Sequence, residues 1–215
     1  MWYLFFNILG FVIVFISVLF INKKYKKLSL EYLIYSYIIF LIGFILFAKL
    51  FNIVFCHNLS NIFSGNIIDR LKFLFSGYAF IGGYVGVLIA LYLFGKVIKK
   101  DSYDLFKVYL PSMFIMYSLM KIGCYIKGCC IGINGFPIQI VESFIAMVWY
   151  IIMLILIKRD NKYITEYSLV IFGLSRFVVT FFREYQGLFS FILNLVISLV
   201  IAFLGRRMFL RDTSR

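Results

Sequence analysis

The sequence predicts an all-α polytopic membrane protein with about seven transmembrane helices, and three observations lead to this fold class. First, 64% of its 215 residues are hydrophobic and 14% are charged, whereas soluble domains contain about 45–50% apolar and about 25% charged residues. Second, the apolar residues form seven runs, each near the roughly 20 residues that a membrane helix requires. Third, basic residues concentrate at alternate connections between these runs. A soluble enzyme, a disordered tail and a nucleic-acid-binding domain are therefore excluded.

The apolar runs define the predicted helices in chain order. They cover residues 2–22, 31–50, 77–98, 105–126, 138–157, 164–182 and 188–205. Lysines follow the first run and none precedes it, which argues against a cleaved signal peptide. Because no repeat or linker divides the chain, residues 1–215 are expected to form a single transmembrane domain.

The positions of lysine and arginine predict the orientation. Fifteen of the 22 basic residues lie on one side of the predicted helices, namely Lys23, Lys24, Lys26, Lys27, Lys96, Lys99, Lys100, Lys107, Lys158, Arg159, Lys162, Arg206, Arg207, Arg211 and Arg215. The positive-inside rule places this side in the cytoplasm, with the N-terminus outside and the C-terminus inside. The net charge of +13 is thus interpreted as an orientation signal and a contact with anionic lipid.

The connection at 51–76 is longer than a loop requires. Apolar residues between 67 and 75 alternate with Asp69, Arg70 and Lys72 at a roughly helical period. This pattern predicts a short amphipathic helix on the outer membrane surface, and a simple tether is the alternative.

Several charged residues fall inside predicted helices, toward their outer ends: Lys49, Lys121, Glu142 and Arg176, with Arg183 and Glu184 just beyond. A charge in hydrocarbon is unfavourable by several kcal/mol unless it meets a partner or water. One interpretation is snorkelling at helix ends together with a structural Arg176–Glu142 pair. We favour a cationic polar cavity that opens outward and binds an anionic phospholipid headgroup.

Small residues accompany these charges. Gly82, Gly83 and Gly86 lie in the third predicted helix, and Gly123, Gly128 and Gly132 lie around the end of the fourth. Such glycines allow either close helix packing or access of a ligand to the backbone.

All four cysteines and the single histidine map to the predicted outer side: Cys56, Cys124, Cys129, Cys130 and His57. A disulfide within this set is plausible there, and its connectivity is not defined by the sequence. The C-x4-C-C spacing matches no standard zinc pattern, so no metal site is predicted. His57 is interpreted as an exposed polar residue, with a role as a base as the alternative.

Four sequence blocks carry a family resemblance. They are GYAFIGGYVG (77–86), KIGCYIKGCCIG (121–132), PIQIVE (137–142) and FGLSRFVVTFFRE (172–184). In this order they resemble prolipoprotein diacylglyceryl transferases, over about residues 65–205. The resemblance implies an enzyme of the bacterial cytoplasmic membrane whose site faces the outer side. Such an enzyme transfers a diacylglyceryl group from phosphatidylglycerol to the lipobox cysteine of a prolipoprotein signal peptide, forming a thioether and releasing glycerol 1-phosphate.

The resemblance also assigns roles by position. Arg176, Glu142 and Arg183 become the predicted catalytic residues. Lys121 stands where the family has an arginine that holds the headgroup. The other predicted substrate-binding residues are Gly123, Gly128, Gly132, Gln139, Gly82, Gly83 and Glu184. No cofactor and no nucleic-acid partner is implied.

The sequence departs from the family pattern at four positions: Ile81 replaces a histidine, Cys124 an asparagine, Cys129 a glutamate and Phe172 a tyrosine. Thiol alkylation needs a thiolate and hence a base or a local field; His57 and the cationic field are the two candidates. The alternatives to the transferase are an inactive homologue that acts as a lipid-binding scaffold and a transferase with another lipid donor or acceptor.

Overall fold

The computed structural model describes residues 2–25, 28–56, 79–99, 101–184 and 188–213, and it confirms the all-helical class. This part of the chain contains seven α-helices and no strand. The helices are α1 (Trp2–Tyr25), α2 (Leu30–Cys56), α3 (Phe80–Val97), α4 (Ser102–Lys127), α5 (Ile138–Lys158), α6 (Ile164–Thr180) and α7 (Leu188–Thr213), with a short 3₁₀ turn at Ile133–Gly135.

Six of the described helices are long and apolar enough to cross a membrane. The exception is α6, whose 17 residues span about 25 Å at 1.5 Å per residue, somewhat less than a hydrocarbon core of about 30 Å. It also buries Glu166 and Arg176. Helix α6 is therefore the shortest of the seven described helices and contains two buried charged residues.

Two helices extend beyond their predicted ends. Helix α2 continues to Cys56 because residues 51–55, four of them apolar, follow Lys49 without a glycine or proline. Helix α7 continues to Thr213, eight residues beyond the predicted end. The predicted amphipathic helix falls mainly on 57–78, and this segment, with His57, lies outside the described residues.

The chain forms two compact units. One consists of Met1–Leu28 and Phe106–Arg215, and the other of Ser29–Leu105. The first contains α1, most of α4 and all of α5 to α7; the second contains α2 and α3. The prediction of a single domain stays a prediction.

In the smaller unit, α2 and α3 pack through glycines. A Cβ atom on Gly86 would overlap the carbonyl oxygen of Gly43, and one on Gly82 would lie 2.7 Å from the carbonyl oxygen of Phe47. A Cβ on Gly83 would overlap the ring of Phe44. These glycines therefore let two helix backbones approach closely.

In the larger unit, glycines and hydroxyl groups join the helices around α4. Gly10 of α1 packs on Met116, and a Cβ on Gly123 would lie 3.0 Å from the Cβ of Phe6. The Ser17 and Ser112 hydroxyls are 2.9 Å apart. On the opposite side, a Cβ on Gly173 of α6 would lie 2.6 Å from the Ser198 carbonyl oxygen of α7. These contacts fix the helix ends that carry the charged residues.

Candidate anion-binding site

Glu142, the fifth residue of α5, is the centre of a buried charge cluster in the larger unit. Its side chain contacts three cations. Lys121 Nζ lies 2.8 Å from Oε2, Arg183 donates from Nε to Oε1 at 2.8 Å and from Nη2 to Oε2 at 2.6 Å, and Arg176 Nη1 lies 3.4 Å from Oε1. Three sequence blocks thus meet at one carboxylate. We call Lys121, Glu142, Arg176 and Arg183 the charge cluster.

The members of the charge cluster come from the ends of three helices. Lys121 lies near the end of α4, Arg176 about one turn before the end of α6, and Arg183 just beyond α6. Relative exposure is 5% for Lys121, 2% for Glu142 and 4% for Arg176. The predicted Arg176–Glu142 pair is therefore present, but as part of a larger group.

A backbone pairing between two loops positions Arg183. Residues Gly132 and Arg183 form an isolated antiparallel bridge. The amide of Ile133 donates to the carbonyl of Phe182 at 3.1 Å, and the amide of Glu184 donates to the carbonyl of Ile131 at 3.2 Å. The loop after α4 therefore holds the loop after α6 in place.

Gly132 is required at this bridge for steric reasons. An added Cβ would lie 2.7 Å from the Phe136 carbonyl oxygen and 2.9 Å from that of Phe182. Any side chain would force the two loops apart. This is the structural role of a glycine that the sequence predicted as substrate-binding.

The charge cluster carries three positive charges and one negative charge, a net charge of +2. Isolated charges in a low-dielectric environment are strongly unfavourable unless they are paired. Glu142 pairs with all three cations, yet it supplies a single negative charge. The cluster is therefore suited to bind an additional anion, such as a phosphate group, beside Glu142.

Two uncharged groups that the sequence did not single out complete the site. Arg176 donates from Nη1 to the Tyr117 hydroxyl at 2.7 Å and from Nη2 to Asn194 Oδ1 at 3.3 Å. The Tyr117 ring also lies below two cations, with Lys121 Nζ 5.2 Å and Arg176 Cζ 5.8 Å from its centroid, a cation–π arrangement. The sequence contains features that could have identified both residues. Tyr117 precedes Lys121 by one helical turn, and Asn194 is an amide within an apolar helix.

Tyr117 also packs against one of the departures from the family pattern. Its ring contacts Phe172 edge to face, with centroids 5.9 Å apart. Phe172 itself has no hydroxyl to offer Arg176. The phenol beside Arg176 thus comes from α4, while α6 contributes an apolar ring.

A cavity adjoins the charge cluster between α4, α5 and α6. It is small and lined mainly by apolar side chains, with Glu142 and Arg176 on its wall. Trp149, Phe114 and Val179 are among the apolar residues that line it. The charge cluster therefore borders an apolar surface within the larger unit.

The loop after α4 brings three cysteines together. Helix α4 ends in a Schellman motif, in which Gly128 has φ +70°. The amide of Gly128 donates to the carbonyl oxygen of Tyr125 at 2.9 Å, and the amide of Cys129 donates to the carbonyl oxygen of Cys124 at 3.0 Å. The Sγ atoms of Cys124, Cys129 and Cys130 all lie within 4.8 Å of one another. We call these residues the thiol cluster.

The thiol cluster adjoins the charge cluster. Hydrogen bonds from Cys124 and Cys129, followed by the charges of Lys121 and Arg183, lower the pKa of the Cys130 thiol well below its usual range. Gln139 of α5 donates from Nε2 to the Cys129 carbonyl at 2.7 Å. Its Oε1 atom is buried and has no hydrogen-bond partner among the described residues.

The remaining predicted site residues have other placements. Gly123 lies at the contact between α1 and α4, and Gly82 and Gly83 lie at the contact between α2 and α3. The side chain of Glu184 is exposed, and its backbone takes part in the loop pairing. Ile81, at the position of the family's histidine, is buried with 3% exposure. The side chain of Cys56 lies outside the described part of the chain.

The apolar helices define this chain as a multi-pass membrane protein, and it contains a buried cationic site. The family model "Prolipoprotein diacylglyceryl transferase" matches residues 1–211. The chain belongs to the prolipoprotein diacylglyceryl transferase family, which confirms the resemblance seen in its sequence.

Curated relatives carry the name phosphatidylglycerol–prolipoprotein diacylglyceryl transferase. The protein from Clostridium tetani is 26% identical over 194 residues, 78% of this chain and 75% of its own length. That from Francisella tularensis subsp. holarctica is 28% identical over 70% of this chain and 60% of its own length, and that from Chlorobaculum tepidum is 28% identical over 60% and 52%. The match thus spans about half to three quarters of these relatives.

Proposed function

We propose that this protein transfers a diacylglyceryl group from phosphatidylglycerol to the lipobox cysteine thiol of exported prolipoproteins. The observation that carries the proposal is the buried charge cluster, with its net charge of +2 around Glu142. Phosphatidylglycerol offers a singly charged phosphodiester attached to an apolar body. The cations of the charge cluster match the phosphodiester, and apolar side chains lie directly beside them.

The cations have a role in the chemical step. When the thiolate attacks the glycerol carbon next to the phosphate, the C–S bond forms, the C–O bond breaks and glycerol 1-phosphate leaves with the electron pair. Negative charge therefore accumulates on the phosphate. Lys121, Arg176 and Arg183 are held in place by Glu142 before the lipid arrives, so they stabilise this charge without a large reorganisation.

Arginine geometry supports the binding of a phosphate. Arg183 forms two parallel hydrogen bonds with the Glu142 carboxylate through Nε and Nη2, and its Nη1 group is the donor that we assign to a phosphate oxygen. Arg176 is oriented by its hydrogen bonds to the Tyr117 hydroxyl and to Asn194 Oδ1. The buried Oε1 of Gln139 is an acceptor for a hydroxyl group of the glycerol headgroup.

The setting of the reaction follows from the charge distribution of the sequence. We propose that the protein lies in the bacterial cytoplasmic membrane with its N-terminus outside and its C-terminus in the cytoplasm. The charge cluster then faces the outer side. Phosphatidylglycerol enters from the bilayer, and the lipobox cysteine of the preprotein comes from the outer face.

A lipid-binding protein without transferase activity is the second candidate. It is favoured by Ile81, since no imidazole is present where the family has its histidine. Both candidates predict binding of phosphatidylglycerol, so only product formation separates them.

The discriminating experiment is mass spectrometry of a lipobox peptide incubated with the purified protein and phosphatidylglycerol. A transferase adds a diacylglyceryl mass to the cysteine peptide and none to a Cys→Ser peptide. Arg176→Gln should abolish the product, whereas Arg159→Gln, which changes an exposed arginine at the other end of α5, should not. Lipid binding without product from the unmodified protein would refute the transferase and favour the scaffold.

A further inference from the structure

The thiol cluster has a geometry that its sequence spacing does not reveal. The C-x4-C-C pattern separates Cys124 from Cys129 by five positions. The Schellman motif at Gly128 folds the chain back, so that the amide of Cys129 donates to Cys124 and its Sγ lies 3.5 Å from the same carbonyl oxygen. Cys130 then takes a left-handed conformation with φ 61°, which a non-glycine residue rarely adopts.

The strained conformation of Cys130 has a consequence for its thiol. With it, all three Sγ atoms lie within 4.8 Å of one another. A tetrahedral zinc ion with Zn–S bonds of about 2.3 Å separates its sulfurs by about 3.8 Å. Shifts of about 1 Å, within the reach of rotations about the Cα–Cβ bonds, therefore bring the three sulfurs into contact with one ion. Unfavourable backbone conformations of this kind concentrate at functional sites.

We propose that Cys124, Cys129 and Cys130 bind a thiophilic divalent cation, Zn²⁺, with one open coordination position for the thiol of the incoming lipobox cysteine. Three protein ligands with an open fourth position are the arrangement of catalytic zinc sites. The open position faces outward, since Cys130 is exposed while Cys124 and Cys129 are half-buried. This proposal rests on the proposed function.

The ion would supply the activation that Ile81 does not. A thiol that coordinates zinc loses its proton, so the lipobox thiol would become a zinc-bound thiolate and release one proton to water. Its sulfur then attacks the glycerol carbon of phosphatidylglycerol. The C–S bond forms, the C–O bond breaks, and the electron pair leaves on glycerol 1-phosphate. The product thioether is neutral and dissociates from the ion.

The charges of the two clusters are complementary. Zn²⁺ with three thiolates carries a net charge of −1, the charge cluster carries +2, and the phosphodiester carries −1. The combined site with lipid bound is therefore neutral. Gln139 joins the clusters, because it donates to the Cys129 carbonyl at 2.7 Å from the helix that carries Glu142.

Co²⁺ replaces Zn²⁺ as a spectroscopic probe for the test. The full chain is purified in phospholipid nanodiscs, reduced, freed of metal and titrated with Co²⁺. We expect one equivalent of Co²⁺ per chain and a thiolate-to-cobalt charge-transfer band. A lipobox peptide should raise this band by about one third, since a fourth thiolate joins three. The Cys→Ser peptide should leave it unchanged.

Single serine variants test the ligand set. Cys124→Ser, Cys129→Ser and Cys130→Ser should each weaken or remove the band, with helical circular dichroism as the folding control. Cys56→Ser should keep it. Absence of the band in the reduced wild type, its retention in all three cluster variants, or its loss only in Cys56→Ser would overturn the metal site.

The transferase assay separates this inference from the proposed function. If the metal-free, reduced protein still forms the diacylglyceryl product at the rate of the zinc-loaded protein, the proposed role of the ion is wrong and the transferase stands. If Co²⁺ binds and responds to the cysteine peptide but no product forms with zinc, the transferase is refuted and the metal site stands.

Discussion

Replacement of Glu142 by glutamine tests whether one carboxylate holds the three cations. The substitution keeps the size of the side chain and removes its charge, so that the net charge of the cluster rises from +2 to +3. Removing one partner of a buried ion pair destabilises a protein by about 3–5 kcal/mol. With RT of about 0.59 kcal/mol, this corresponds to a change of about 10²–10⁴ in the folding equilibrium. Hydrogen bonds to two arginines are also disturbed.

An anionic lipid should replace part of the missing charge. The assay is reversible unfolding of wild type and Glu142→Gln in nanodiscs of phosphatidylcholine and of phosphatidylglycerol. We expect the variant to lose about 3–5 kcal/mol in the zwitterionic lipid and clearly less in phosphatidylglycerol. Glu31→Gln, at an exposed position of α2, is the matched control. A loss below about 1 kcal/mol, or an equal loss in both lipids, would refute the central role of Glu142.

Three further substitutions test the supports of the site. Gly132→Ala places a Cβ 2.7 Å from a carbonyl oxygen and should displace Arg183. We expect the free energy of unfolding to fall by about 1–3 kcal/mol and the product to be lost. Normal activity would contradict the role of the loop pairing. Gly128→Ala meets no neighbouring atom but forces an alanine to φ near +70°, so unfolding should show about 1 kcal/mol of destabilisation, with Gly128→Asn less affected. Tyr117→Phe removes a hydrogen bond to Arg176, worth about 1.5–3 kcal/mol, and should lower kcat/KM by about 10- to 150-fold; an unchanged value would show that the hydroxyl does not position the arginine.

The elements of the fold were predictable because each apolar run is long and bounded by charge. All seven helices appear at the predicted positions in the described residues. The ends were less predictable, since residues 51–55 continue the helix beyond Lys49 although they include the polar Asn52. Nothing in hydrophobicity alone indicates where a helix should stop when no proline, glycine or charge interrupts it.

The charge cluster was predictable in composition but not in connectivity. Charges in apolar helices are rare enough that Lys121, Glu142 and Arg176 were candidates on energetic grounds. That all three cations meet one carboxylate depends on helix packing and on the bridge between Gly132 and Arg183, neither of which leaves a local pattern. The cysteines of the thiol cluster were singled out as possible disulfide partners, but the convergence of three sulfurs depends on backbone folding after Gly128 rather than on ligand spacing.

Under the proposed function, the charge cluster is a headgroup site in which single functional groups come from other helices than the family pattern implies. Phe172 lacks the phenol that the family has on α6, and Tyr117 of α4 offers a phenol to the same arginine at 2.7 Å. Lys121 has a single ammonium group where the family has the two-pronged guanidinium of an arginine, and Arg183 provides a guanidinium to the same Glu142 carboxylate. What such a site must conserve is the position of charge relative to the phosphate, since stabilisation of the leaving group depends on field and distance rather than on which helix supplies the group. By the same reasoning, the base that is absent at Ile81 need not be present at that position. Any group that lowers the pKa of the incoming thiol can replace it. The three sulfurs of the thiol cluster, beside the charge cluster, are placed to hold a metal ion with this effect.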